Sequence, residues 1–347
     1  EFVQIPTHVA ESGRFTYAVP LGHVPTPVDR AHRHSSLIMR VLVSGGAGYI
    51  GSALIRRLAV REDVDEIVIY DNLSRSRAAL IAPLPGGRAR LRLVRADLLD
   101  TRSLSKALDG VDTVVHLAAR VSTPYAHDDL HGFDQVNRWG SGELGLAIER
   151  TASVRRVVYT SSTAVYGDTH GSLASAAADT PTAPVSAYGH SKLQAERLLG
   201  EIATEPALTI LRLGNVSGPA PAARFDSVLN RMLFDAWFSG RVQVQGSGEQ
   251  RRALLHVQTA ARAIERSLLG LLESGVYDLV DRTTSVLDVV REIRALLPET
   301  EVLFISQHLT LPDAQVAVDP RLPADLHDRR PLGEWLHEMA TGFAFSR

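Results

Sequence analysis

The sequence predicts an α/β fold: a doubly wound parallel sheet with a smaller C-terminal lobe laid over its open end. Three observations carry that prediction. From Arg40 to Leu213, short apolar runs alternate with stretches of helical spacing. A glycine-rich turn directly follows the first apolar run. Beyond Pro219 the alternation loses its regularity, although helical stretches continue. Strands joined through helices must run parallel, and right-handed crossovers place those helices on both faces of the sheet.

Val41–Ser44 is the first strand, and Tyr49–Val60 follows at helical spacing. Glu66–Tyr70, Leu91–Arg95 and Thr113–His116 read as strands two to four. Leu130–Glu149 is long enough and apolar enough for a long helix. Arg156–Thr160 is the fifth strand, Ala187–Ile202 the next helix and Leu208–Leu213 the sixth strand. In the tail, helices are expected near Phe225–Phe238, Val257–Leu272 and Val286–Leu296, with short strands between them. The domain boundaries that follow are 39–218 for the sheet domain and 219–347 for a lobe interleaved with that sheet. Residues 1–38 stand apart. They hold Pro6, Pro20, Pro25 and Pro27, four histidines before Ser35, and no apolar period. They read as a leader, flexible or not native, with Met39 as the natural start.

The 347 residues suffice to bury a sizeable core. The balance of 37 basic against 39 acidic residues gives a net charge of -2, which argues against a nucleic-acid binder. No apolar run reaches the length of a membrane span. Cysteine is absent, which excludes disulfides, thiolate metal sites and a cysteine nucleophile, and no metal site is expected. With no secretory signal, the cytoplasm is the expected location. Only Lys106 and Lys192 are lysines, leaving 35 arginines, so a retained lysine is informative.

Val41-Leu-Val-Ser-Gly45-Gly-Ala-Gly48-Tyr49-Ile50-Gly51 places three glycines between a strand and a helix. Gly45 suits the tight turn, Gly48 a close approach of backbone to a pyrophosphate, and Gly51 close packing of helix on strand. The helix N-terminus, at Tyr49 and Ile50, offers N–H groups to phosphate. Asp71 closes the second strand, where a carboxylate accepts from the adenosine ribose and repels a 2′-phosphate. NAD is therefore the expected cofactor. NADP stays an alternative because Arg75 and Arg77 lie close by.

The glycine spacing is G-x-x-G-x-x-G, and here the chain resembles the extended short-chain dehydrogenase/reductases, the family of NAD-dependent nucleotide-sugar epimerases and dehydratases similar to UDP-glucose 4-epimerase. The resemblance implies a Rossmann-type NAD-binding domain and a C-terminal substrate-binding lobe. It runs from about Met39 to the C-terminal helix. Asp97-Leu98 looks like the pair that contacts adenine, and Asn72 follows Asp71 at the ribose. His116-Leu117-Ala118-Ala119-Arg120 resembles the H-x-A-A segment beside the cofactor. Asn137, with Gly140-Ser141, resembles a further cofactor-side motif, although Arg138 replaces its usual valine.

Tyr188-Gly-His-Ser-Lys192 sets a phenol and an ammonium one helical turn apart on one face. A free phenol titrates near 10 and is a poor base at neutral pH. Lys192 and an oxidised nicotinamide are expected to favour the phenolate, so that Tyr188 takes a proton from a sugar hydroxyl. Lys192 also holds the nicotinamide ribose in this reading. The motif continues to Glu196, as in the family's Y-G-x-S-K-x-x-x-E. By the same resemblance Ser162 is the hydroxyl that bonds the reacting oxygen, completing a catalytic set of Ser162, Tyr188 and Lys192. Dehydratases of the family carry Asp-Glu at the next two positions. Here they are Thr163-Ala164, and alanine transfers no proton.

Leu211-Arg-Leu-Gly-Asn215-Val-Ser-Gly-Pro219 and Gly246-Ser-Gly-Glu-Gln-Arg-Arg252 resemble the family's substrate segments. They imply that Asn215 and Arg252 contact a substrate diphosphate, with Ser162 and Thr163 beside the sugar. Ser217, Ala253 and Thr259 depart from the pattern and point to a changed substrate pocket. His256 is read as structural. The reading that follows is an NAD-dependent epimerase of a nucleotide-activated sugar, working through a transient 4-keto intermediate as a homodimer. The alternatives are an NAD(P)H-dependent 4-ketoreductase of a nucleotide-linked keto-deoxysugar, and a non-catalytic dinucleotide sensor.

Overall fold

The chain divides into two units, Glu1–Leu37 and Ile38–Arg347. The computed structural model describes residues 38–75, 86–121, 130–169, 180–202, 206–308 and 311–343, all in the second unit. The leader before Ile38, and Arg77, lie outside the described residues.

Seven parallel strands form the central sheet. In chain order they are β1 (Met39–Ser44), β2 (Val64–Asp71), β3 (Arg90–Arg95), β4 (Thr113–His116), β5 (Arg156–Ser162), β6 (Ala207–Leu213) and, far downstream, Gly275–Leu279. Across the sheet β3, β2, β1, β4, β5 and β6 follow one another, and Gly275–Leu279 adds to the outer side of β6. Strand β1 pairs with β2 on one side and β4 on the other, which makes it the point where the winding reverses. Ligands of such sheets bind outside the carboxyl ends of the strands at that point. The buried valines and leucines of β1 and β4 suit strands covered on both faces.

Helix α1 (Tyr49–Ala59) covers one face, packed beside a later helix, Val257–Leu268, over Val43, Ile67 and Leu211. The opposite face holds α2 (Thr101–Ala107), α3 (130–149) and α4 (Ala187–Ile202). Helix α1 shows why the element forms. Leu54 and Leu58, one turn apart, are fully buried, while Arg56 and Arg57 close the last turn. Full burial of one such leucine is worth about 1.5–3 kcal/mol. Helix α3 is not uniform: Leu130–Phe133 and Gly140–Glu149 are α-helical, and Asp134–Trp139 between them is π-helical.

The chain after residue 218 therefore supplies both a sheet strand and a covering helix, and also builds a second core. Helices α5 (Val228–Ser239), α7 (Val286–Leu296) and α8 (Leu332–Thr341), with α6 the Val257–Leu268 helix, belong to this part. Leu233, Val242, Ile293 and Trp335 form the centre of the second core. A three-stranded sheet links it to the central one: β7 (Asn215–Ser217) runs parallel to β8 (Arg251–His256), which pairs antiparallel with Arg282–Ser285.

Candidate active site

The glycine turn lies at the carboxyl end of β1. Gly45 adopts φ +72°, and a Cβ there would lie 2.6 Å from the Ala118 nitrogen. The turn thus touches the 117–120 loop directly, and Leu117 N donates to Ser44 O at 3.0 Å. Ala119 and Arg120 complete that loop. Gly48 is the N-cap of α1, with no side chain capping it and no acidic residue in the first turn at Tyr49, Ile50 and Gly51. A Cβ on Gly51 would meet Gly45 O and Gly46 Cα at 2.6 Å. Gly51 therefore packs on the turn itself, where close contact with a strand was expected.

Asp71 ends β2. Its Oδ2 accepts from Ala47 N at 3.0 Å and its Oδ1 from Leu73 N at 2.8 Å, so the carboxylate also braces the glycine turn. Burial raises its pKa against the pull of these two bonds. Asn72 Nδ2 donates to Asp97 Oδ2 at 2.8 Å, joining the ends of β2 and β3. Leu98 is buried beside Gly140 on α3.

Asn137 is the tie that sequence motifs only hint at. It lies in the π-helical segment, 1% exposed. Its Oδ1 accepts from Arg120 N at 2.8 Å, and its Nδ2 donates to Arg120 O and to Ser191 Oγ, each at 2.9 Å. The 117–120 loop, α3 and the Tyr188 helix are thereby locked together. Single π turns commonly re-aim a side chain at a functional site in this way.

The Ser162 side chain caps the short 3₁₀ turn Thr163–Tyr166 by accepting from Ala164 N at 3.2 Å, and it pulls the Tyr188 phenol downwards. Lys192, 3% exposed, donates to Thr160 O at 2.8 Å and sits 4.9 Å over the Tyr159 ring. Burial pushes its pKa down to about 7, opposed by the Glu196 charge. Burial raises the Tyr188 phenol, against the pulls of Ser162 and of Arg224. His116 bonds Ser44 Oγ at 2.7 Å and Ser141 Oγ at 2.9 Å. Burial, and then the Lys192 charge, hold its pKa down at about 3, so it is neutral.

At the substrate end, Asn215 Nδ2 donates to Ala253 O at 3.3 Å, on the strand that carries Arg252. Arg252 Nη1 donates to Arg251 O and Pro312 O, at 2.8 and 2.6 Å. Asp313 and Asp168 act on it electrostatically, though burial is the larger effect and lowers its pKa. Thr163 is buried, and its hydroxyl donates to Leu213 O at 3.4 Å. His256 caps α6 by accepting from Gln258 N at 3.3 Å and lies edge-on to Trp335.

The segment 218–227 crosses from β7 to α5 against the glycine helix. Tyr49 OH donates to Gly218 O at 2.5 Å, and Ala222 N donates to Ser52 Oγ at 3.3 Å. Asp226 bridges two arginines, Arg224 Nε at 2.7 Å and Arg75 Nη2 at 3.3 Å. The loop after β2 is thus clasped to the loop before α5.

A family model described as the NAD dependent epimerase/dehydratase family matches residues 41–276. The chain belongs to that family. UDP-arabinose 4-epimerase 1 of Arabidopsis thaliana is 31% identical over 55% of this chain and 46% of that protein. A dTDP-glucose 4,6-dehydratase of Streptomyces niveus is 29% identical over 70% of this chain and 72% of its own. The chain spans about half the length of the UDP-arabinose 4-epimerase relatives it matches. Among solved structures, MoeE5 in complex with UDP-glucose and NAD is 28% identical with a TM-score of 0.74, covering 87% of this chain and 97% of that one.

The family's NAD dependence fits the residues present. The uncapped, acid-free start of α1 suits a pyrophosphate. Asp71 stands at the end of β2, and Lys192 keeps two N–H donors beyond the one on Thr160. Sequence reasoning missed Arg224, Asp226 and Ser191. Ser191 lies inside the Y-G-x-S-K motif and had a signal. Arg224 and Asp226 lie in an irregular loop with none. No helix among the described residues is long and apolar enough to cross a membrane.

Proposed function

We propose that the chain is an NAD-dependent epimerase of a nucleotide-activated sugar, working through a transient 4-keto sugar. The observation that carries this reading is Tyr188 standing one helical turn from the buried Lys192, with Ser162 at the adjoining turn drawing down the Tyr188 phenol. NAD supplies, when bound, a hydride acceptor and then a donor. Tyr188 takes the proton of the sugar hydroxyl as that carbon is oxidised and returns it afterwards. Ser162 keeps its Oγ fixed through the Ala164 N–H and presents a hydroxyl to the carbonyl form. Lys192 holds the nicotinamide ribose, and Gly48, Tyr49 and Ile50 the pyrophosphate. Asn215 and Arg252, on neighbouring strands, take the substrate diphosphate.

Two details support epimerisation over dehydration. Ala164 transfers no proton, and the Thr163 hydroxyl is engaged by Leu213 O. Asp71 favours NAD over NADP, and Arg75 is engaged by Asp226. A homodimer through α3 and α4 is supported by Trp139 and Leu146, which expose apolar surface on α3.

The deciding experiment releases nicotinamide from purified, denatured protein, then screens UDP-linked sugars for change at C4. Stoichiometric NAD and epimerised product support the proposal. An empty site, with reduction of a 4-keto-deoxysugar by added NAD(P)H, replaces it with the reductase reading. The Asp226 clasp gives a second prediction. Asp226→Asn removes a carboxylate shared by half-exposed Arg75 and partly buried Arg224, each pair worth about 0.2–1 kcal/mol. NAD should then dissociate several-fold faster, measured by dilution and chromatography. An unchanged release rate means that the clasp does not gate the cofactor.

A further inference from the structure

The catalytic helix carries a third charged group in register with the first two. Tyr188, Lys192 and Glu196 stand at i, i+4 and i+8, on one stripe of α4. Glu196 and Arg212 are each 6% exposed. Arg212, on β6, grips Glu196 in a two-point fork, Nε to Oε1 at 3.0 Å and Nη2 to Oε2 at 2.7 Å. Its Nη1 donates to Tyr166 OH at 2.8 Å. Tyr166 OH in turn donates to Asp278, 2.8 Å from Oδ1 and 2.9 Å from Oδ2. Asp278 is fully buried, and its N–H donates to Asp319. Tyr166 ends the 3₁₀ turn that Ser162 begins. One buried polar chain therefore runs from the Lys192 helix through β6 to the Ser162 turn and the outermost sheet strand.

We propose that Glu196 is a positioning residue that, one helical turn away, favours the charged form of Lys192, and that Arg212 with the Tyr166–Asp278 pair holds Glu196. The proposal rests on reading Lys192 as part of the active site. A buried ion pair gains little net stability over apolar side chains of equal volume. Its place one turn from a buried ammonium gives it a second task. Around Lys192 stand Tyr188 and Glu196, one turn before and after it on its own helix, Thr160 O and the Tyr159 ring on β5, and neutral His116 on β4. Glu196 is the carboxylate among them, and it opposes the burial that drives the ammonium towards its neutral form.

The two-lysine composition makes the test direct. Protein labelled with [13Cε]lysine shows two titrating resonances, Lys192 and the exposed Lys106 as internal reference. Glu196→Gln/Arg212→Met removes both charges, so that neither partner is left buried alone. The Lys192 midpoint should fall by about one pH unit while Lys106 stays unchanged. Glu196→Asp should keep the midpoint within about 0.3 of a pH unit of the parent. The pH dependence of turnover should move with the midpoint, and KM should change less than kcat. A Lys192 midpoint unmoved in the double variant overturns the proposal. Should that variant fail to fold, Glu196→Gln alone removes the carboxylate charge and keeps an amide oxygen for the Arg212 fork. A midpoint unmoved there overturns the proposal equally. The titration needs neither NAD nor a nucleotide sugar, so its outcome is independent of whether the chain epimerises one.

Discussion

Tyr188→Phe is expected to lower turnover by roughly 10²- to 10⁴-fold while leaving fold and NAD content unchanged. The substitution removes one hydroxyl. The phenol ring stays, edge-on to Phe133 at 5.9 Å, so packing is preserved. Ser162, which acts on the lost hydroxyl, retains the Ala164 N–H as a partner and is not orphaned. The loss should therefore appear in kcat, with thermal stability close to that of the parent. Ser162→Ala should lose less by itself, and the double variant should lose little more than Tyr188→Phe. Groups acting as one unit are not additive. Kinetics with the identified sugar, alongside a melting curve, check this. A Tyr188→Phe protein that keeps a tenth or more of its turnover would remove Tyr188 from proton transfer.

Gly51→Ala should produce the second large effect, this time on the cofactor site and on stability. The added methyl would lie 2.6 Å from Gly45 O, Gly46 Cα and Gly46 O, all backbone atoms that no rotamer change moves aside. Either α1 tilts away from the turn or the turn opens. Overpacking of this kind costs about 1–3 kcal/mol. Both responses also displace the N–H groups of Tyr49 and Ile50 from the pyrophosphate, so NAD affinity should fall at least tenfold. Denaturant unfolding and NAD titration measure the two effects separately. Wild-type affinity together with wild-type stability would show that the contact between helix and turn is not needed. Gly200→Ala on α4, where an added methyl meets nothing within 4 Å, is the control that should cost neither.

The elements that were legible share a physical cause. Val41–Ser44 and Thr113–His116 are short apolar runs because both faces of those strands are covered. Helix α1 declares itself through Leu54 and Leu58 and through the glycines before it. Helix α2 is capped by Asp100, whose side chain accepts from Ser103 N at 3.0 Å, a start signal in a stretch that the sequence reading left unassigned. The seventh sheet strand, Gly275–Leu279, gives no sign of its partner. A run of five residues says nothing about pairing with β6, which lies far upstream in the chain.

By itself the sequence determined the alternating α/β order, the glycine turn, the Asp71 position and the spacing of Tyr188 and Lys192 on one helix. These depend on local spacing and on residue type, which the chain states directly. The tertiary structure alone decided the rest. It brought the Arg224 charge to bear on the Tyr188 phenol, Asn137 between three elements, Asp226 between two arginines, and Glu196 against Arg212, which reaches the Tyr166–Asp278 pair. Apart from the local Arg224–Asp226 pair, each of these is an electrostatic or hydrogen-bonded interaction between different elements of the fold. Its strength depends on distance and burial, and only folding sets those.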